Sequence, residues 1–269
     1  MKTGSRSQRN ANASPRLLTG SGAGPVVGQL GGEPALPVDV AWPWWEGKGP
    51  LAFIASVDCS ALPDLDGDSL LPRAGSLLFF YFDGQVDDGE NVIGYWDPDS
   101  ARGARVVFVP PGAPVRSRAA PAPIEAYPLV PLHAEPVATA PSVDHPVLYG
   151  AFGALFDEET GRVHPVVNSD FRRALFDLCG AGHQLGGYAY PIQGEVEYEV
   201  AQAVLGGNVK WEDPALRDEA VKWVLLAQFD SDDAANMMWG DCGMLYWLIR
   251  PEDLAARRFD RATFTWQCC

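Results

Sequence analysis

Apolar residues in this chain come in short unbroken blocks, bounded by glycine, proline and aspartate. Such blocks at 51–57, 76–82, 91–96 and 105–109 predict β-strands, and the turn residues between them predict an antiparallel meander, not β-α-β crossovers. Pro34, Pro37, Pro43 and Pro50 punctuate a segment that holds Trp42, Trp44 and Trp45. That proline density excludes a helix, and the tryptophans are expected to pack across the sheet. The stretch from Pro110 to Pro146 reads as an extended connector.

Helical spacing appears later. Phe171, Ala174, Leu175 and Leu178 share a face over 170–179, with Asn168 or Ser169 as cap and Gly180 as left-handed stop. Val196, Val200, Ala203 and Val204 do the same over 195–205, although Glu195-Val196-Glu197-Tyr198-Glu199-Val200 also alternates as a strand would. Asp213-Pro214 opens a third helix that leads to a strand at Trp223. Arg250 to Leu254 reads as a short helix and Thr263 to Gln267 as a last strand.

Three features recur in order. Gln29-Leu30-Gly31-Gly32 matches Gln184-Leu185-Gly186-Gly187. The run Leu51 to Asp58 matches Trp223 to Asp230, and Gly75 to Tyr81 matches Gly243 to Ile249. Ordered matches with drifting offsets point to a diverged duplication. The expected fold is α+β, mostly antiparallel β-sheet with a few helices, its two related halves packed about a pseudo-twofold axis. Residues 1–25 are expected to be a disordered tail, and 26–269 a single domain. Within it the first half covers about 26–110, the connector 110–146 and the second half 147–269.

The same segments carry a family likeness. Leu30-Gly31-Gly32-Glu33-Pro34 with Leu36-Pro37 and Trp42-Pro43, then Leu71-Pro72 with Gly75 to Phe80, resemble the opening of the YwqG-like bacterial proteins, a family of unknown function. His183 to Gly187, Pro191-Ile192-Gln193-Gly194, Leu225 to Gln228 and Met238-Trp239-Gly240-Asp241 with Gly243 extend the resemblance over roughly residues 27–267. Ser56 departs from it, where such proteins more often carry the glutamine found at Gln228. The resemblance implies a shared fold and transfers no catalytic residue. The location of some relatives near toxin and immunity genes implies a partner-binding role.

Charge narrows the partners. A net charge of −15 repels nucleic-acid phosphates and anionic membrane surfaces, and steers a basic protein toward the chain. Residues 1–25 lack the apolar core of a secretory signal, no run is long enough for a spanning helix, and a cytoplasmic location is expected. Five cysteines without a C-x-x-C pair argue against a disulfide framework or zinc knuckle. Cys59, Cys179 and Cys242 read as small buried hydrophobes, and Cys268-Cys269 as a tail.

No nucleophile elbow, phosphate loop or zinc helix is present. Gly20 to Gly24 lacks the strand and helix of a dinucleotide site. Asp64-Leu65-Asp66-Gly67-Asp68 misplaces the glycine of a calcium loop and reads as a solvated turn. His183, with Asp230 and Asp241, is the candidate catalytic set, because a His–Asp pair can act as general base. The competing role for His183 is a hydrogen bond that fixes its loop. Gln193, Gln228 and Trp239 are the candidate ligand-binding residues, unless the glutamines are buried amides tying loops to strands. No metal or cofactor is expected. The function expected is a non-catalytic protein-binding module with an immunity-like or toxin-associated role; the alternative is an enzyme or small-molecule binder using a cleft between the halves.

Overall fold

The computed structural model describes residues 12–20, 24–64, 70–153, 155–157, 161–170, 173–174 and 180–269. Ten strands pair into one antiparallel sheet: β1 (Asn12–Thr19), β2 (Val26–Leu30), β3 (Ala52–Asp58), β4 (Ser76–Tyr81), β5 (Ala104–Val109), β6 (Val130–Thr139), β7 (His183–Leu185), β8 (Val224–Asp230), β9 (Met244–Ile249) and β10 (Thr263–Gln267). Their spatial order is β10-β9-β8-β7-β1-β6-β2-β3-β4-β5. Helices α1 (Pro146–Phe152), α2 (Val196–Val204), α3 (Pro214–Ala220) and α4 (Pro251–Ala255) accompany them. The expected α+β, mostly antiparallel class is the one observed, and no described helix is long and apolar enough to cross a membrane.

Two expectations change at the centre of the sheet. Residues 12–19 of the expected tail form β1, paired with β6 from Asn12↔Thr139 to Thr19↔Leu132 and with β7 at Leu17↔His183. The local sequence offered only Leu17-Leu18, but hydrogen bonding on both sides supplies what the apolar content lacks. The connector 110–146 contains β6, a ten-residue strand. Proline lacks the N–H that a central strand uses for pairing, yet β6 carries Pro131 and Pro136. Pro136 lies opposite Pro15, so two missing N–H donors fall on one rung, and the pairing with β2 shifts register between Leu132 and His133.

A third change concerns 91–96, which is not a strand: the Ser100 hydroxyl accepts from Gly94 N–H at 3.0 Å and holds the segment as a loop. The helix expected over 170–179 falls mostly outside the described residues, as do Cys179 and part of the 64–68 turn; Cys59 is buried as expected, but Cys242 is exposed. The expected helix over 195–205 forms as Val196–Val204, not as the alternating strand. The helix opened by Asp213-Pro214 runs Pro214–Ala220, the short helix expected over 250–254 is Pro251–Ala255, and the strand Thr263–Gln267 is present; Asp213 accepts from Ala215 N–H as the cap of α3.

The sheet curls until its two ends pack face to face, close to a barrel. Phe79 of β4 meets Phe229 of β8 and Trp247 of β9 at ring-centroid separations of 5.0 and 5.3 Å. Tyr81 stacks on Phe264 of β10 at 4.9 Å. Strand β9 is buried along its whole length because both its faces are covered. Leu245, Trp247 and Ile249 enter the main core, while Met244, Tyr246 and Leu248 pack under Val196 and Val200 of α2. Trp42 and Trp45 pack edge-on to Phe80 and Phe82, whereas Trp44 is exposed.

The turns after β2 and β7 repeat the same bonds. Gln29 Nε2 donates to Gly31 O and Gln184 Nε2 to Gly186 O, each at 2.7 Å. Gly31 N–H reaches Ile54 O and Gly186 N–H reaches Leu226 O, each at 2.9 Å. All four glycines of these turns have positive φ, which explains the paired Gly-Gly.

Candidate functional site

His183 projects from β7 into the sheet and is 5% exposed. Its Nδ1 accepts from Asp230 N–H at 3.1 Å, which places the ring proton of the neutral imidazole on Nε2, 3.4 Å from Asp232 Oδ2. The partner carboxylate is therefore Asp232, which also accepts from the Thr19 hydroxyl and Ala235 N–H, both at 2.9 Å. Asp230 meets His183 through its backbone. Asp241 carries no hydrogen bond or ion pair to His183; its carbonyl accepts from Cys269 N–H. The expected triad thus reduces to a His183–Asp232 pair that ties β1, β7 and the loop after β8 together. Sequence reasoning missed Asp232, whose carboxylate becomes the obvious partner only when β1 supplies Thr19 beside it.

The hydrogen bond from His183, with those from Ala235 N–H and Thr19, holds the Asp232 carboxyl far below its ordinary value of 3.8, against the opposing effect of burial. A carboxylate of depressed pKa stabilises the fold above the unfolded-state value and loses that contribution as pH falls through the lower folded-state value. Asp232→Asn is expected to lower unfolding free energy at pH 7 by about 1–3 kcal/mol. In urea titrations the gap from the parent should stay constant in neutral solution and narrow below about pH 4. A gap that widens in acid would contradict this role.

Gln228 is fully buried, with Tyr190 N–H donating to its Oε1 and its Nε2 donating to Gly182 O, both at 2.9 Å. It is the buried amide tie, and its polar atoms face no open space. Gln193 is exposed at its side chain, and its N–H donates to Gln267, which performs the corresponding tie beneath α2. Trp239 is a core residue, edge-on to Tyr81 and Tyr127, with its indole N–H on Asp230 O. The space between the halves is filled by Phe79, Phe229 and Trp247. A surface pocket of about 150 Å³ lies instead by Pro15, Leu62, Leu71 and Arg73, small for a ligand site. Burial pushes the adjoining Cys59 thiol up to about 12, which makes it inert.

Two further assemblies lie elsewhere. His145 caps α1, accepting from Val147 N–H at Nδ1, and its Nε2 is 3.3 Å from Glu197 Oε1 in the first turn of α2. Glu195, the residue before α2, accepts from the Ser142 hydroxyl. Ligand atoms of His145, Glu195 and Glu197 lie within 4.8 Å of one another. Burial, then the neighbouring Glu197, pushes the Glu195 carboxyl up to about 7. Burial disfavours charge on His145, but the hydrogen bond and charge of Glu197 outweigh it and raise its pKa. The sequence signal was Glu197 itself, a carboxylate on the face of α2 that also carries Val200 and Ala201.

The second assembly is an exposed aromatic platform. Tyr95 packs edge-on to Trp96 and Trp211 at 5.1 and 5.5 Å, and the two indoles remain 59% and 51% exposed. Gly207 lets the chain after α2 approach the Trp96 backbone, since a Cβ there would stand 2.7 Å from Trp96 O. Exposed Asp97, Asp99, Glu212 and Asp213 flank the rings in sequence, together with exposed Lys210 and with Arg102, which pairs with Asp99 at 3.4 Å.

Residues 28–268 match the family model of DUF1963, a domain of unknown function, and the chain belongs to that family. No curated protein matches it.

Proposed function

We propose that this chain is a non-catalytic protein-binding module that captures a basic partner on the Tyr95–Trp96–Trp211 platform. The observation that carries the reading is the exposure of two clustered indoles, with exposed Asp97, Glu212 and Asp213 beside them in sequence. Exposed aromatic clusters are the usual anchors of protein interfaces, and lysine or arginine side chains stack favourably on indole faces. The net charge of −15 steers such a partner to the surface. The filled space between the halves and the structural bonding of His183, Gln228 and Trp239 weigh against the enzyme and cleft-binder alternative.

The chain is taken as a YwqG-like member acting in the cytoplasm, in an immunity-like pairing. Its halves are taken as duplicated units: β2-β3-β4-β5 and β7-β8-β9-β10 flank the β1–β6 pair in mirrored order, with repeated turn bonds and matching register shifts at Phe53/Ala55 and Leu225/Ala227.

The test places a photoreactive phenylalanine analogue at position 96, cross-links in native extract, and reconstitutes binding with the purified captured protein. One basic protein is expected, bound about 30-fold or more weakly by the Trp96→Ala/Trp211→Ala variant. Equal binding by the variant, or no stoichiometric cross-link, overturns the proposal.

A further inference from the structure

We propose that His145, Glu195 and Glu197 form a binding site for a divalent first-row metal ion of the zinc, manganese or cobalt type. The donors come from two elements: His145 precedes α1, and the two glutamates begin α2. The separation of 3.3 Å between His145 Nε2 and Glu197 Oε1 fits the edge of a tetrahedral ligand shell, which bonds of about 2.0–2.1 Å place at about 3.4 Å.

An independent observation points to a missing ligand. Glu197 is 2% exposed, and its second oxygen, Oε2, has no hydrogen-bond partner. A buried carboxylate oxygen without a donor is costly, and among the described residues no lysine or arginine pairs with Glu195 or Glu197. Glu199 nearby is already satisfied, by the Thr265 hydroxyl at 2.5 Å and Gln267 Nε2 at 2.9 Å. Two carboxylates and one neutral imidazole balance a dication, and one nitrogen with carboxylate oxygens selects borderline or hard ions over soft ones.

Binding also makes a specific demand on the histidine. Val147 N–H donates to Nδ1 at 3.2 Å, which leaves the neutral ring's proton on Nε2. A metal on Nε2 moves that proton to Nδ1 and displaces the helix cap. Metal loading is therefore coupled to the first turn of α1, and the ring nitrogens report it directly.

The experiment uses full-length protein with Cys242, Cys268 and Cys269 replaced by serine, so that surface thiols do not bind the probe. Calorimetric titration with Zn²⁺ and optical titration with Co²⁺ are expected to give one equivalent, with no thiolate charge-transfer band and a raised Tm. Glu195→Gln and Glu197→Gln each should weaken affinity about tenfold or more. The ¹⁵N resonances of the His145 ring should show the proton moving to Nδ1. Circular dichroism and Tm of the metal-free variants establish that each is folded; if one is not, the other and the ring resonances carry the test. No saturable Zn²⁺ or Co²⁺ binding, affinity unchanged in a folded glutamine variant, or an unperturbed His145 ring overturns the inference. None of these results depends on the Trp96–Trp211 platform.

Discussion

Trp247→Ala is expected to lower the unfolding free energy by about 3–5 kcal/mol, the range for deleting a large buried aromatic side chain. The indole is the largest fully buried side chain in the core and touches rings from both ends of the curled sheet. Phe79, Phe229 and Phe264 lie at centroid distances of 5.3, 5.8 and 4.8 Å. Removing it opens a void that neither a strand shift nor solvent fills, because β9 is covered on both faces. Its Nε1 has no hydrogen-bond partner, so Trp247→Phe removes an unsatisfied donor along with volume and should cost clearly less than alanine. A double-mutant cycle with Phe79→Leu isolates the contact across the curl and should return a coupling of about 0.5–1.5 kcal/mol. Urea denaturation measures all of these. A zero coupling energy would mean that the two ends of the sheet do not pack through these rings.

Gly28→Ala should be comparably damaging for a different reason. Gly28 lies opposite Val57 in the β2–β3 pair, and a Cβ would stand 2.0 Å from the carbonyl oxygen of Ser56. The obstacle is backbone, so the strands must separate, and a loss at or beyond the upper end of the roughly 1–3 kcal/mol overpacking range is expected. Gly47→Ala supplies the control: its φ is +76° with nothing within 4 Å of a Cβ, so it carries only the left-handed penalty of about 1 kcal/mol. Thermal melts should rank Gly28→Ala well below Gly47→Ala; the reverse order would place β2 farther from β3. This contact also accounts for a difference between the corresponding turns. The residue before Gln-Leu-Gly-Gly is His183 in β7, where the ring packs on Phe229 and bonds Asp232, but a histidine side chain has no room at Gly28.

The functional residues divide along similar lines. Gln228 was recognisable as a buried tie because a lone amide in the run Leu225 to Phe229 has nowhere to point but backbone. His183 was recognisable as a partnered histidine, but its partner was not: Asp230 lies on the strand and Asp232 two residues beyond, and the position of Thr19 in β1 decides between them. Trp96 and Trp211 are ordinary apolar letters in sequence, and nothing local distinguishes them from Trp42 and Trp45, which are packed against phenylalanines.

By itself the sequence determined the long apolar strands, the helical stretches of α2, α3 and α4 with the aspartate cap of α3, and the glycine turns after β2 and β7, since each follows from residues within one turn or one strand of each other. Tertiary structure decided the rest. The placement of β1 and β6 at the sheet centre, the approach of His145 to Glu195 and Glu197, and the contact of Phe79 with Trp247 join segments separated by 50 to more than 150 residues. Periodicity encodes which face of a strand is apolar, but only pairing and packing choose the partner that covers it.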